Sequence, residues 1–220
     1  MKVRGNGIEI FYEKIGTGRP MVLVHGIGQD HSVFDALIEK LKAHYTIYAM
    51  DCRNHGQSDA SEDCSYDAMA EDVYQLIREL NLGKVYLVGF SDGAVVALHV
   101  ALAHLDVLEK VAFLGVNLKP TDLREKSLEY FRKSYEETGN PHYHQILVLP
   151  QIEQEELAAI TIPTLLAEAE RDIFRDGLFE ELSRAFPNVR AQRMMGHKHE
   201  TYLVHNDLLY PDLLDFFGES

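Results

Sequence analysis

Five short runs of unbroken apolar character punctuate the chain: "MVLVHG" (21–26), "YTIYAMD" (45–51), "KVYLVGF" (84–90), "KVAFLGV" (110–116) and "PTLLAEA" (163–169). A strand wetted on one face alternates apolar and polar residues, whereas an unbroken run suits a strand covered on both faces. Helical patterns fill the gaps. "VFDALIEKLKAH" (33–44) sets Phe34, Leu37, Ile38 and Leu41 at i, i+3, i+4 and i+7. "SYDAMAEDVYQLIREL" (65–80) opens with Ser65 as N-cap and acids in its first turns, and "LFEELSRAF" (178–186) and "DLLDFF" (212–217) are two more helices. This alternation predicts an α/β fold, a mostly parallel central sheet with helices on both faces. "GIEIFYEKIG" (7–16) alternates and reads as an antiparallel edge strand; "VRAQRM" (189–194) reads as a weaker last strand. With no repeat, low-complexity tract or linker, residues 1–220 are expected to form a single domain.

Residues 118–161 contain no convincing strand. "TDLREKSLEYFRKSYEETG" (121–139) reads as an amphipathic helix with Thr121 as cap and Gly139 as stop, and a second helix is expected around 151–160. An excursion this long between two strands is not a plain connection. It predicts a short helical lid inserted above one edge of the sheet.

Charge and composition narrow the partners. A net charge of -14 opposes binding to nucleic-acid phosphates and anionic lipid. The apolar runs are too short to span a bilayer, and the first residues lack the apolar stretch of a signal peptide. Two cysteines, Cys52 and Cys64, without metal-type spacing suggest reduced thiols in a cytoplasm. The expected partner is a small molecule, acting on a monomer or homodimer.

The run 84–90 leads directly into "SDGAVVALHVALAHL", giving G-x-S-x-G from Gly89 to Gly93 between a strand and a helix. That context is what makes the pattern a nucleophile turn around Ser91 rather than an ordinary helix cap. Acyl-transfer chemistry also needs two N–H donors for an oxyanion, a base and an acid. The backbone N–H of Asp92 supplies one donor. "VLVHGIG" supplies the other at Ile27, flanked by Gly26 and Gly28, with His25 expected to shape the loop by hydrogen bonding. Asp172, just past the run 163–169, is the preferred acid over Glu168 and Glu170. "VRAQRMMGHKHETY" offers His197 and His199 as base. His197 is preferred because it follows Gly196 directly after the strand, leaving His199 as a solvated loop residue. The Asp92 carboxylate would oppose an oxyanion, so its side chain is expected to turn away toward a polar partner under the lid.

With these pieces in order, "HGIG", "DCRNHGQSD", "GFSDG", "AERDIF" and "MMGHKHE", the chain resembles the α/β-hydrolase fold family, in its small serine esterase-like branch. The resemblance implies Ser91 as nucleophile, Asp172 as acid, His197 as base, and the Ile27 and Asp92 N–H groups as oxyanion hole. Asn54 stands where the family pattern has glycine. The short 118–161 segment implies a shallow, open acyl pocket, which Tyr130, Phe131, Tyr143, Ile146 and Leu149 either line or close off by packing the lid onto the body.

"PHYH" and "GHKH" do not supply the three or four converging ligands of a metal site, and no nucleotide or phosphate loop is present. Neither metal nor cofactor is expected. The resulting expectation is a serine hydrolase, first a carboxylesterase of small esters. The alternatives are amide, thioester, lactone or carbon–carbon hydrolysis or perhydrolysis by the same residues, and a hydrolase-like receptor without catalysis.

Overall fold

The computed structural model describes residues 1–218. In chain order the elements are β1 (Lys2–Gly5), β2 (Ile8–Gly16), β3 (Arg19–Val24), α1 (Asp35–Leu41), β4 (Tyr45–Met50), α2 (Tyr66–Glu79), β5 (Val85–Phe90), α3 (Asp92–Ala103), β6 (Leu108–Leu114), α4 (Glu125–Thr138), α5 (Pro141–Val148), β7 (Thr164–Arg171), α6 (Leu178–Ala185), β8 (Val189–Lys198) and α7 (Tyr210–Phe217). The strands form one sheet in the order β1-β2-β4-β3-β5-β6-β7-β8. β1 and β2 are antiparallel to their neighbours, and every pairing from β4 through β8 is parallel.

The unbroken apolar runs are explained by what covers each face. In β3, Val22 and Val24 join Val73 and Leu76 of α2 and Val96 and Val100 of α3 on one side. Met21 and Leu23 join Leu37 and Leu41 of α1 and Leu213 and Phe217 of α7 on the other. All six residues of β5 are buried. Successive side chains therefore feed opposite cores, so both faces of a central strand are covered.

Three expectations change. The stretch 7–16 is antiparallel but is not the edge; β1, only four residues long, covers it. The long helix of the excursion starts at Glu125, because Thr121 lies in a 3₁₀ turn (Pro120–Asp122) and caps nothing. Its stop is Gly139 at φ 67°, where the missing Cβ makes the left-handed turn inexpensive. The helix expected around 151–160 is a 3₁₀ segment (Gln154–Ala159), and the second α-helix is α5. Asn140 caps α5 by accepting the His142 N–H, and Pro141 occupies its first position.

Among the described residues no helix is long and apolar enough to cross a membrane. The loop after β4 is anchored by Arg53, whose Nε and Nη2 donate to the two carboxylate oxygens of Asp72 in α2, at 2.6 and 2.8 Å. Both side chains are buried. Removing one partner of such a pair strands the other charge away from water. Asp72→Ala is therefore expected to lower the unfolding free energy by about 3–5 kcal/mol in urea titration.

Candidate active site

β5 ends at Phe90 and α3 begins at Asp92, so Ser91 alone makes the turn, at φ 54° and ψ −119°. This is a strained backbone region for a residue with a Cβ. The crowding around it explains the glycines. A Cβ at Gly89 would stand 2.2 Å from the Gly93 carbonyl oxygen, and one at Gly93 would stand 2.2 Å from that of Val24. The Ser91 N–H donates to the Leu114 carbonyl at 2.8 Å, tying the turn to the end of β6.

The imidazole that meets Ser91 is His199. Its Nε2 lies 2.7 Å from Ser91 Oγ, and its Nδ1 lies 2.6 Å from Asp172 Oδ1. Asp172 is fixed by the N–H groups of Ile173 on Oδ1 (2.7 Å) and Ala169 on Oδ2 (2.9 Å). The carboxylate has no proton to give, so Nδ1 donates to it and Nε2 is free to accept from the Ser91 hydroxyl. The ring stacks on Phe90 and meets Phe174 edge-on. Gly115, at φ 69°, leaves it room: a Cβ there would stand 2.8 Å from His199 Cε1.

The preference for His197 is thus corrected. β8 does not end before Gly196 but continues to Lys198, which pairs with Arg171 of β7. His197 is still in the strand, with Nδ1 3.2 Å from Thr201 Oγ1. The chain leaves the sheet at His199, which is buried rather than solvated. The rival acids stay outside this contact: Glu170 Oε2 accepts the Gly196 N–H, and Glu168 faces Arg193.

The loop after β3 abuts the turn. A Cβ at Gly26 would stand 3.1 Å from Ser91 Cβ. The Gly26 N–H donates to Gln29 Oε1 and the Gly28 N–H donates to His55 Nε2, both at 3.1 Å. The N–H of Ile27 between them, and that of Asp92 in the first turn of α3, have no hydrogen-bond partner among the described residues. His25 pins this loop as its position suggested. Its Nε2 accepts the Cys52 N–H at 3.0 Å, so its Nδ1 carries the proton and donates to the Gly26 carbonyl at 2.7 Å. Complete burial pushes its pKa down to about 4. His55 repeats the arrangement, donating from Nδ1 to the Arg53 carbonyl while Nε2 receives Gly28. Asn54 fits at the family's glycine position because it adopts φ 64°, and its Oδ1 accepts the Ser61 N–H.

The Asp92 side chain is buried, and its Oδ1 accepts from the Tyr66 hydroxyl at 2.5 Å. Burial raises its pKa, and the Tyr66 hydrogen bond opposes that rise. Burial, and then the Asp92 charge, push the Tyr66 phenol well above its ordinary value.

The five candidate lining residues divide. Tyr143 reaches the loop, its hydroxyl 3.9 Å from where a Cβ of Gly28 would stand. Phe131 stacks with Tyr143 and, with Ile146, is buried against the body; Leu149 is partly buried there. Tyr130 is corrected: it is 61% exposed on the outside of α4 and lines nothing. Sequence reasoning missed His142 and Gln145, buried on α5; "PHYH" was weighed only as a metal pair. Among the described residues Asp30, His31 and Asp51 could approach one metal ion. Their bonds are already structural: Asp51 Oδ1 accepts the His31 N–H and lies 2.7 Å from its Nδ1, and Asp30 Oδ1 accepts the Ser32 N–H.

The profile of the family described as alpha/beta hydrolase fold matches residues 19–140, and the chain belongs to that family. It is similar to an AB hydrolase superfamily protein of Bacillus subtilis, 36% identical over 99 residues, covering 44% of this chain and 37% of that protein. It is also similar to the (E)-2-((N-methylformamido)methylene)succinate hydrolase of Acinetobacter baylyi, 30% identical over 122 residues, covering 55% and 46%. The matches thus span less than half the length of these relatives. The solved structure of an esterase from Exiguobacterium antarcticum shares the fold at a TM-score of 0.84 and 20% identity, over 98% of each chain.

Behind Asp172, burial and then the Asp172 charge push the Glu168 carboxyl up to about 7, with Arg193 opposing. The folded state holds this proton more tightly than the unfolded chain does. The associated stability is therefore complete below the ordinary value of 4.5 and is lost as pH rises through about 7. Glu168→Gln removes that loss: its melting temperature relative to the parent protein is expected to rise by a few degrees between pH 5 and pH 8 in calorimetry.

Proposed function

We propose that the chain is a serine hydrolase, first a carboxylesterase of small esters, working through an acyl-enzyme on Ser91. The observation that carries this reading is the continuous path from Ser91 Oγ to His199 Nε2 and from His199 Nδ1 to Asp172. His199 takes the hydroxyl proton as Oγ attacks the carbonyl carbon. The oxyanion falls to the N–H groups of Ile27 and Asp92, and Asp172 holds the imidazolium. Collapse expels the alcohol, which takes the proton from Nε2, and a water deprotonated by His199 then releases the acid. Esters come first because an alcohol is a better leaving group than an amine and needs less help from the acid.

In this reading α4 and α5 are a small lid over the site, and the acyl pocket stays open at its edge. Both cysteines are free thiols, which suits a reducing cytoplasm.

The test is labelling of the purified protein with a fluorophosphonate. Ser91 is expected to be modified, and Ser91→Ala to abolish labelling. His199→Ala is expected to slow ester hydrolysis by about a thousandfold or more, while His197→Ala stays within a few-fold of the parent protein. A folded protein that never labels would overturn the reading.

A further inference from the structure

His142 and Gln145 lie one turn apart on α5, at i and i+3, and so on one face. His142 is 3% exposed and Gln145 is 6% exposed. Both ring nitrogens of His142 lack a hydrogen-bond partner among the described residues, and the Gln145 amide nitrogen has only the Tyr66 phenol to turn to. Two buried ring nitrogens without partners are costly to leave so, since each has lost water and gained nothing, and the Gln145 amide beside them on the same helix face is only weakly engaged.

Their neighbours link them to the groups around Ser91. The His142 ring is 4.6 Å from that of His55, the residue holding the Gly28 N–H in the loop next to Ser91. The Gln145 amide hydrogen-bonds toward the Tyr66 phenol oxygen, offsetting part of the effect of that phenol's burial, and the phenol itself donates to Asp92, the residue after Ser91. Tyr143, between the two in sequence, overhangs Gly28.

We infer that His142 and Gln145 recognise an uncharged hydroxyl or amide group of the substrate, held under α5 within reach of Ser91. The inference rests on the hydrolase reading and adds a substrate class to it. The available atoms select the group. Gln145 Nε2 is a donor only, and a neutral imidazole offers one donor and one acceptor. Burial, helped by His55, keeps the His142 ring neutral, with its pKa down at about 4. A cationic group has no lone pair to accept from Gln145. An anionic group would share the space with the Asp92 carboxylate, and the groups around it (His55, Tyr66, His142 and Gln145) include no fixed cation. A hydrocarbon would leave both His142 ring nitrogens unsatisfied. A hydroxyl or amide both accepts and donates.

The test compares kcat/KM within matched ester pairs on the intact protein. The pairs are methyl 3-hydroxybutanoate with methyl 3-methylbutanoate, methyl N-acetylglycinate with methyl 4-methylpentanoate, and, on the alcohol side, 2-hydroxypropyl acetate with 2-methylpropyl acetate. At least one polar ester is expected to be favoured by about tenfold or more over its alkyl partner. In His142→Leu and in Gln145→Met that ratio is expected to fall to near one. Each ratio is internal to one protein, so a general loss of activity does not imitate the effect. Fluorophosphonate labelling of Ser91 separates the two readings. A protein that labels but favours no polar ester overturns the recognition site alone, as does a preference that survives both substitutions. Variants that melt higher with an unchanged ratio also overturn it, because the unpaired atoms then held only a structural water. A protein that neither labels nor turns over any ester overturns both readings.

Discussion

Ser91 turns at φ 54° between two buried elements, and the surrounding backbone allows no other course. Gly89 and Gly93 sit where any Cβ would stand 2.2 Å from a carbonyl oxygen, far inside van der Waals contact, so β3, β5 and α3 pack backbone to backbone. A non-glycine residue held there stores about 1–3 kcal/mol of strain, which the two cores on either side of the sheet must hold in place. The rest of the site is arranged around that crossing. The first turn of α3 brings the Asp92 N–H beside the serine, and the end of β3 brings the 26–28 loop against it. The end of β6 accepts the Ser91 N–H, then turns at Gly115 to leave space for His199.

The loops are positioned by buried histidines as much as by glycines. His25 and His55 each have one nitrogen receiving a backbone N–H and the other donating to a backbone carbonyl. Such a ring works only when neutral and in one tautomer. Its hydrogen bonds consume the N–H groups of Cys52 and Gly28 and hold the loop so that the Ile27 N–H stays free. The loop after β4, tied to α2 by Arg53 and Asp72, carries His55 and so sets this geometry from the far side.

The sheet was legible because a strand covered on both faces leaves an unbroken apolar run, and each of the five runs became a parallel strand. β1 was not, because four residues with half their side chains in solvent make no such run. Ser91 and Asp172 stand at strand ends that the runs mark clearly, and both converge on one imidazole. The choice between His197 and His199 turned on where β8 stops. Gly196 looks like a strand end in sequence, yet its N–H is held by Glu170 and pairing resumes at Lys198, which postpones the exit by two residues. The contents of α5 were hidden for a different reason. A short helix with Pro141 and two histidines has no strong apolar periodicity, and only tertiary packing shows that His142 and Gln145 are buried.

Charge across the site follows a consistent plan. Asp172 is bonded to His199, Asp92 accepts from Tyr66, and Glu168, next to Asp172, is pushed toward its protonated form. A carboxylate at the N-terminus of α3 is favoured by about 0.3–1 kcal/mol, and the Tyr66 hydroxyl fixes Oδ1 away from solvent, so the charge is held by groups other than a substrate. Neither the N–H groups of Ile27 and Asp92 nor the α5 residues contribute a formal positive charge. In the proposed reaction negative charge is therefore welcomed only transiently, at the oxyanion, by neutral dipoles. On the proposed reading, such a site on a chain of net charge -14 would discriminate against anionic substrates before any contact is made, whereas an uncharged ester with a neutral polar group would meet no such barrier.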